Sequence, residues 1–167
     1  MARIIDFYSG NTDHRGRTHA WIIEQDDEWL ERTHDFIQWL FPLRERSGAN
    51  PHAPLLDAAQ IAEFQASPAL RAGLLASYDR MLRFYGLRRD GAALAKGANW
   101  DERKPNWFTH PTHNDLRITR MQKSLMMLGL AGHARGFHAA LRHLAGEPGC
   151  GFRKDALAYW DDAVRDA

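Results

Sequence analysis

Cysteine is nearly absent from this sequence: Cys150, in a glycine-rich stretch, is the only one among 167 residues. No disulfide can form within the chain, which is typical of a protein from a reducing compartment. No window approaches the run of about 20 apolar residues that a membrane-spanning helix needs. Residues 1–6 lack the features of a signal peptide. These absences predict a cytoplasmic protein without a transmembrane segment.

The sequence also lacks an excess of one charge. Its formal net charge is +1, so the overall charge indicates neither a nucleic-acid nor a membrane partner, although a local basic patch stays open. Alanine is abundant and arginine outnumbers lysine, which is typical of a GC-rich bacterial genome. A chain of this length buries roughly two thirds of its unfolded surface. We therefore expect residues 1–167 to form one domain that needs no structural metal.

Helical patterns dominate, and runs of alternating residues typical of strands are short. Asp57 with Gln60 predicts a capping box, while Ser67 and Pro68 predict the start of a helix that Gly86 ends. We predict six helices, at residues 27–41, 57–66, 67–85, 112–128, 134–145 and 152–165. Residues 42–56, 87–98 and 99–111 are predicted as loops, the last with Trp100 and Trp107 as anchors. The expected fold is all-α: one compact helical domain of about six helices with long ordered loops.

Sequence signals for catalysis are scarce. There is no phosphate-binding loop, dinucleotide fingerprint or nucleophile elbow, so we assign no catalytic residue, no metal ligand and no cofactor. His34-Asp35 resembles half of a metal-dependent phosphohydrolase signature, which His110 or His113 and Asp115 or Asp79 would have to complete. A metal-assisted hydrolase is therefore retained as an alternative, and a protein without enzymatic activity is preferred.

Trp39 is predicted on the polar side of its helix, among Glu31, Arg32 and Asp35. A tryptophan in that position is either exposed for a partner or covered by another segment of the chain, and residues 42–56 are the segment nearest in sequence. The first interpretation predicts a peptide-binding surface made by Trp39, residues 42–56 and residues 99–114. The second makes Trp39 part of the core.

Arg117, Arg120 and Lys123 follow one another at a spacing of three on a predicted helix. They are interpreted as an anion or nucleic-acid site, for which Trp100 and Trp107 would supply stacking surfaces. The alternative is structural. Arg120 falls between apolar positions, so it would be partly buried and would need a carboxylate partner.

Several segments resemble one protein family, in order along nearly the whole chain. Residues 34–45 read HDFIQWLFPLRE, similar to a family hallmark, and residues 113–120 read HNDLRITR, similar to a second. Further similar segments are residues 6–8, Asn50 with residues 53–56, residues 81–87, residues 99–103 and residues 123–129. On these motifs the chain resembles the conserved domain of the opioid growth factor receptor family, as a bacterial member.

The resemblance implies a receptor-like binding domain without catalytic residues. Animal members are described as receptors for an enkephalin-type peptide and are associated with the nucleus and its envelope. The expected partner here is an unidentified peptide or protein, and nucleic acid is the weaker alternative. The candidate binding residues are Trp39, Arg44, Asn50, Trp100, Trp107, His113, Asn114, Arg117 and Arg120.

Overall fold

The computed structural model describes residues 3–165, and most of them are helical. Ten helices occur in that part of the chain, joined by short connections and by one 3-10 turn at Lys104–Asn106. The helices are α1 (Arg3–Tyr8), α2 (His19–Ile23), α3 (Asp27–Arg32), α4 (Ile37–Leu40), α5 (Ala58–Ala66), α6 (Pro68–Tyr85), α7 (Trp100–Arg103), α8 (Asn114–Met127), α9 (Ala131–Ala145) and α10 (Lys154–Ala163).

The prediction of an all-α fold of about six helices is wrong. Residues that were predicted as a loop form an antiparallel hairpin of β1 (Leu87–Asp90) and β2 (Ala93–Lys96), in which Asp90 pairs with Ala93. The two-residue connection begins at Gly91, whose φ of 66° is the positive value that tight hairpin turns require. A glycine at the first of the two loop residues favours such a turn, so Gly91 was a sequence signal for the hairpin.

The helix predicted at residues 27–41 is also interrupted. Helix α3 ends at Arg32, Thr33 is extended with φ −99° and ψ 130°, and α4 does not begin until Ile37. The ends of both short helices leave backbone carbonyls without helical partners. These carbonyls become the attachment points of α8, as described below.

The other predicted helices are present, and their ends follow the local signals. Asp57 and Gln60 make both hydrogen bonds of a capping box at the start of α5. Ser67 caps α6 by accepting a hydrogen bond from the Leu70 N–H at 3.2 Å. Helix α6 ends at Gly86, which has the left-handed conformation expected of a helix C-cap.

The core lies between α6, α8, α9 and α10. Helix α8 packs against α9 and α10, α5 and β1 pack against α6, and β2 packs against α9. Three tryptophans from different parts of the chain are fully buried there: Trp39, Trp107 and Trp160. Within residues 3–165, no helix is both long and apolar enough to cross a membrane.

Residues 42–56 form a connection that we call the strap. Its two ends are joined by a parallel bridge between Leu43 and Leu55, and the Leu56 N–H donates to the Leu43 carbonyl at 3.0 Å. Closing the strap at its base lets the intervening residues form a fixed wall beside α4, without secondary structure of their own.

Gly136 on α9 lies directly beneath the hairpin, and a methyl group there would overlap the carbonyl of Ala92. Gly136→Ala is therefore expected to displace the hairpin and lower the free energy of unfolding by about 1–3 kcal/mol. Gly132→Ala is the matched control, because nothing lies near its added methyl group on the same helix. That control should instead be neutral or stabilising by up to about 1 kcal/mol. Urea unfolding of both variants distinguishes the two cases, and equal effects would contradict the described packing.

Candidate functional site: a cationic groove beside α8

Arg117 joins α8 to the end of α3. Its Nη1 donates to the Leu30 carbonyl at 2.8 Å and its Nη2 to the Thr33 carbonyl at 2.7 Å. The guanidinium also lies over the ring of Phe36 at 5.3 Å. Arg117 is only 5% exposed, and both of its hydrogen-bonded partners are neutral. Its positive charge is thus buried without a carboxylate in hydrogen-bonding contact.

Arg120 and Ser124 join α8 to the end of α4. Arg120 Nη1 donates to the Phe41 carbonyl at 3.0 Å, and Ser124 Oγ donates to the Pro42 carbonyl at 2.9 Å. The sequence predicted that Arg120 needs a carboxylate, and this prediction is wrong because a backbone carbonyl takes that place. Arg117, Arg120 and Ser124 share one side of α8. Through their hydrogen bonds, this side of the helix is attached to the chain that runs from the end of α3 to the start of the strap.

Asn50 holds the strap against α4. Its side-chain amide donates to Gln38 Oε1 at 3.2 Å and to the Asp35 carbonyl at 3.4 Å. The Asn50 side-chain oxygen accepts from the His52 N–H at 3.0 Å. With 4% of its surface exposed, Asn50 shapes the wall of the groove and does not itself face a ligand.

A groove of about 500 Å³ opens between the strap and α8. Residues from both hallmark segments line it, together with residues of the strap. The lining residues are His34, Ile37, Gln38, Leu43, Arg46, Ser47, Gly48, Ala49, His113, Leu116, Arg117, Thr119, Arg120 and Lys123. Four of them are Arg or Lys and none is Asp or Glu, so the groove is cationic.

Nearby carboxylates neutralise only the edge of this groove. Glu45 lies 3.7 Å from Lys123 Nζ, and Glu31 lies 3.3 Å from His113 Nε2. Among the described residues, neither Arg117 nor Arg120 has a carboxylate within ion-pair distance. Burial lowers the pKa of both guanidinium groups, because the charged form is less stable away from water.

His34 and His113 meet at one end of the groove, with ring centroids 5.1 Å apart. Burial lowers the pKa of His113, and the nearby Glu31 opposes that shift. The proposed metal signature would need further ligands around this pair. No three His, Cys, Asp or Glu side chains between residues 3 and 165 are arranged to hold a metal ion.

The three tryptophans predicted for the binding surface lie in the core. Trp39 is 1% exposed and packs against Phe7 and His14, with ring centroids 5.3 and 6.0 Å apart. Trp100 and Trp107 are buried against each other, and Trp107 Nε1 donates to the Tyr85 carbonyl at 2.9 Å. None of the three presents a free ring for stacking. Trp39 lies on a short buried turn, Trp100 packs against Phe108, and Trp107 packs against Tyr85 and Phe152.

The remaining predicted residues divide into three groups. His113, Arg117 and Arg120 line the groove. Asn114 is fully buried and donates to Glu31 at 3.3 Å, so it supports the groove from behind. Arg44 is exposed on the strap but does not line the groove.

Arg46 and Leu116 line the groove although neither was among the candidate residues. Leu116 is 73% exposed, a high value for a leucine on a helix whose other apolar residues are largely buried. The sequence contains no signal that distinguishes Arg46 from its charged neighbours. The strap is neither helix nor strand, so the direction of its side chains does not follow a regular repeat. Its position depends on how the strap is closed at its base.

A buried Ser-His pair lies elsewhere, where α1, α2 and α6 meet. Ser77 Oγ shares hydrogen bonds of 2.8 Å with His19 Nε2 and of 2.8 Å with the Tyr8 hydroxyl. Ser77 is completely buried and the third partner is a tyrosine, whereas a catalytic triad needs a carboxylate and an accessible nucleophile. We interpret this cluster as structural. Burial lowers the pKa of His19 to about 4.

A second and larger hollow, of about 750 Å³, lies between the hairpin and α9. It is lined mainly by small apolar residues of β2 and α9. None of the candidate residues lines it. Its ionisable residues are Lys96, Arg135, His143 and Glu147, and Lys96 is already paired with Glu147 at 2.7 Å. The groove beside α8 is therefore the stronger candidate site.

These features define a helix-rich domain with a small hairpin and an open cationic groove. A family model described as the opioid growth factor receptor (OGFr) conserved region matches residues 7–167. The chain belongs to this family, as its motifs indicated.

Relatives in animals show the same similarity. The chain is 39% identical over 145 residues to the opioid growth factor receptor of Homo sapiens, covering 81% of this chain and 20% of the relative. It is 44% identical over 104 residues to the receptor of Mus musculus, covering 60% and 16%. It is 35% identical over 145 residues to opioid growth factor receptor-like protein 1 of Mus musculus, covering 84% and 31%. The chain thus matches less than a third of each relative, and no solved structure matches it significantly.

The buried position of Trp39 generates a stability prediction. Trp39→Ala is expected to lower the free energy of unfolding by about 3–5 kcal/mol, because it empties a filled part of the core. Trp21→Ala is the matched control: this tryptophan is 43% exposed, and its removal should cost about 1 kcal/mol or less. Chemical unfolding followed by circular dichroism measures both. A small loss for Trp39→Ala would contradict its placement in the core.

His19 should make stability depend on pH. The unfolded chain protonates His19 below about pH 6.5, whereas the folded protein holds it neutral until about pH 4. Stability is therefore lost as pH falls through this interval, by at most about 1.4 kcal/mol per pH unit for one proton. His19→Gln should remove that part of the slope.

The comparison uses the free energy of unfolding of each protein at several pH values, so that contributions of other groups cancel. His143→Gln is the control, because that imidazole is 81% exposed. An unchanged slope in His19→Gln would show that His19 is not held neutral.

Proposed function

We propose that this chain is a binding module that holds a peptide, or a segment of a partner protein, in the groove between the strap and α8. One observation carries the proposal. Gln38 and His113 belong to different hallmark segments and lie 75 positions apart in the sequence, yet both line the same open groove. Motifs that served only to stabilise the core would not need to face a shared opening to solvent.

The composition of the groove supports a peptide ligand. Its lining combines polar side chains with apolar ones from three segments, namely Ile37 of α4, Leu43 of the strap and Leu116 of α8. Grooves that capture peptides combine apolar contact with a few placed polar groups. Leu116 projects into solvent from a rigid helix, which makes it a suitable contact for an apolar side chain of the ligand.

The relatives add a functional direction. Those of Homo sapiens and Mus musculus are named opioid growth factor receptors, and a receptor by definition binds a ligand. The family match over residues 7–167 contains both walls of the groove, so we infer that ligand binding is the activity of this region. We place this activity in the cytoplasm, in keeping with the single cysteine.

Nuclear magnetic resonance titration tests the proposal. The isotope-labelled protein is titrated with an enkephalin-type peptide and with unrelated peptides of different charge. We expect at least one of them to shift the amide signals of residues 47–49 and 113–120. Shifts confined to the hollow between the hairpin and α9, or no shifts with any peptide, would contradict the proposal.

A pair of leucine variants adds a control to this titration. Leu116→Ser should weaken peptide binding by about tenfold. A leucine that becomes covered by the bound peptide contributes roughly 1.5 kcal/mol or more to the affinity. Leu94→Ser makes the same chemical change at a partly exposed leucine on β2 that does not line the groove. Leu94→Ser should leave the affinity unchanged.

A further inference from the structure

The side chains that line the groove carry an excess of positive charge. Arg46, Arg117, Arg120 and Lys123 all line it, and its lining contains no acidic residue. Cationic side chains are usually paired when they are removed from water. Here the two most buried ones are paired only with backbone carbonyls.

Arg120 is the clearest case. Among residues 3–165, its guanidinium donates one hydrogen bond, from Nη1 to the Phe41 carbonyl, and Arg120 also lines the groove. Removal from water lowers its pKa, and the nearby Glu45 carboxylate opposes this shift. An anion in the groove would therefore meet a charge that is already partly desolvated, where a charge-assisted hydrogen bond is strong.

Lys123 and Arg46 extend this surface toward solvent. The ion pair of Lys123 with Glu45 is long, at 3.7 Å, and the Glu45 side chain is 62% exposed. Such a pair contributes little and exchanges readily for another partner. Arg46 is exposed on the strap and makes no ion pair with any of residues 3–165.

We propose that the ligand of this groove is an acidic peptide segment. Its carboxylates bind Arg120, Lys123 and Arg46, and an apolar side chain of the same segment packs on Leu116. This inference rests on the proposed function of the groove, and it adds the chemical class of the ligand.

The observations favour a peptide over nucleic acid. Proteins that bind single strands combine a cationic groove with aromatic side chains on which bases stack. No tryptophan, tyrosine or phenylalanine lines this groove, and its two imidazoles, His34 and His113, pack edge to face against each other at one end. Trp21 is exposed in a neighbouring depression that shares His34 and Ala49 with the groove. The three arginines there are already paired, Arg15 and Arg17 with Asp35 and Arg32 with Glu28.

Fluorescence anisotropy with three labelled peptides of equal length provides the test. They alternate Glu with Leu, Gln with Leu, or Lys with Leu, and an oligothymidylate with the same charge as the Glu-Leu peptide is the fourth probe. The Glu-Leu peptide should bind about tenfold more tightly than the Gln-Leu peptide. This advantage should decrease as salt is added, because exposed charges are screened.

Four variants assign the effect to residues. Arg120→Gln, Lys123→Gln and Arg46→Gln should each weaken the Glu-Leu peptide several-fold and leave the Gln-Leu peptide unchanged. Arg46 makes no structural contact that would confuse the result, so its variant remains informative if Arg120→Gln is unstable. Glu45→Gln removes the competing carboxylate and should tighten binding of the Glu-Leu peptide. Arg88→Gln, at an exposed arginine on β1, is the control and should change nothing.

The outcomes separate this inference from the proposed function. Equal binding of the Glu-Leu and Gln-Leu peptides, with shifts of the groove amides in both cases, would overturn the acidic ligand but keep the binding module. Binding of none of the probes and no shift of the groove amides would overturn both. Tighter binding of the oligothymidylate than of the Glu-Leu peptide would identify nucleic acid as the ligand and overturn the peptide.

Discussion

The hydrogen bonds from α8 to the chain between α3 and the strap determine much of this structure. Two short helices end within ten residues of each other, and each end leaves carbonyls that water or a side chain must satisfy. Arg117, Arg120 and Ser124 supply those donors from one side of a long helix. A buried carbonyl without a donor costs about 1–3 kcal/mol, so several such sites together are comparable to the total stability of a domain.

The same arrangement creates the chemistry of the groove. If carboxylates had satisfied Arg117 and Arg120, the charges would cancel and the groove would be neutral. Because carbonyls satisfy them, the positive charge remains beneath an opening that the strap keeps accessible. One set of contacts therefore explains both why the two hallmark segments lie together and why the groove between them is cationic. Ligand binding in this groove is our proposal for a member of the opioid growth factor receptor family.

Local signals in the sequence predicted what local interactions decide. The capping box at Asp57 and the glycine cap at Gly86 depend on residues a few positions apart, and both were predicted correctly. The interruption after α3 depends on Arg117, which lies 84 positions from Thr33, so the apolar period of residues 27–41 contained no sign of it. The hairpin was missed despite Gly91 at its turn, because its strands are only four residues long. In the groove, Arg117 and Arg120 were predicted, whereas Arg46 depends on the closure of the strap.

Hydrogen exchange measured on the Arg117→Met variant tests the central claim most directly. Methionine fills similar space but cannot donate to the Leu30 and Thr33 carbonyls. If α8 holds the hallmark segments together through these carbonyls, amide protection should fall in residues 30–50 and remain at native levels in α6, α9 and α10. Unchanged protection of residues 30–50, or a uniform loss throughout the protein, would contradict that account.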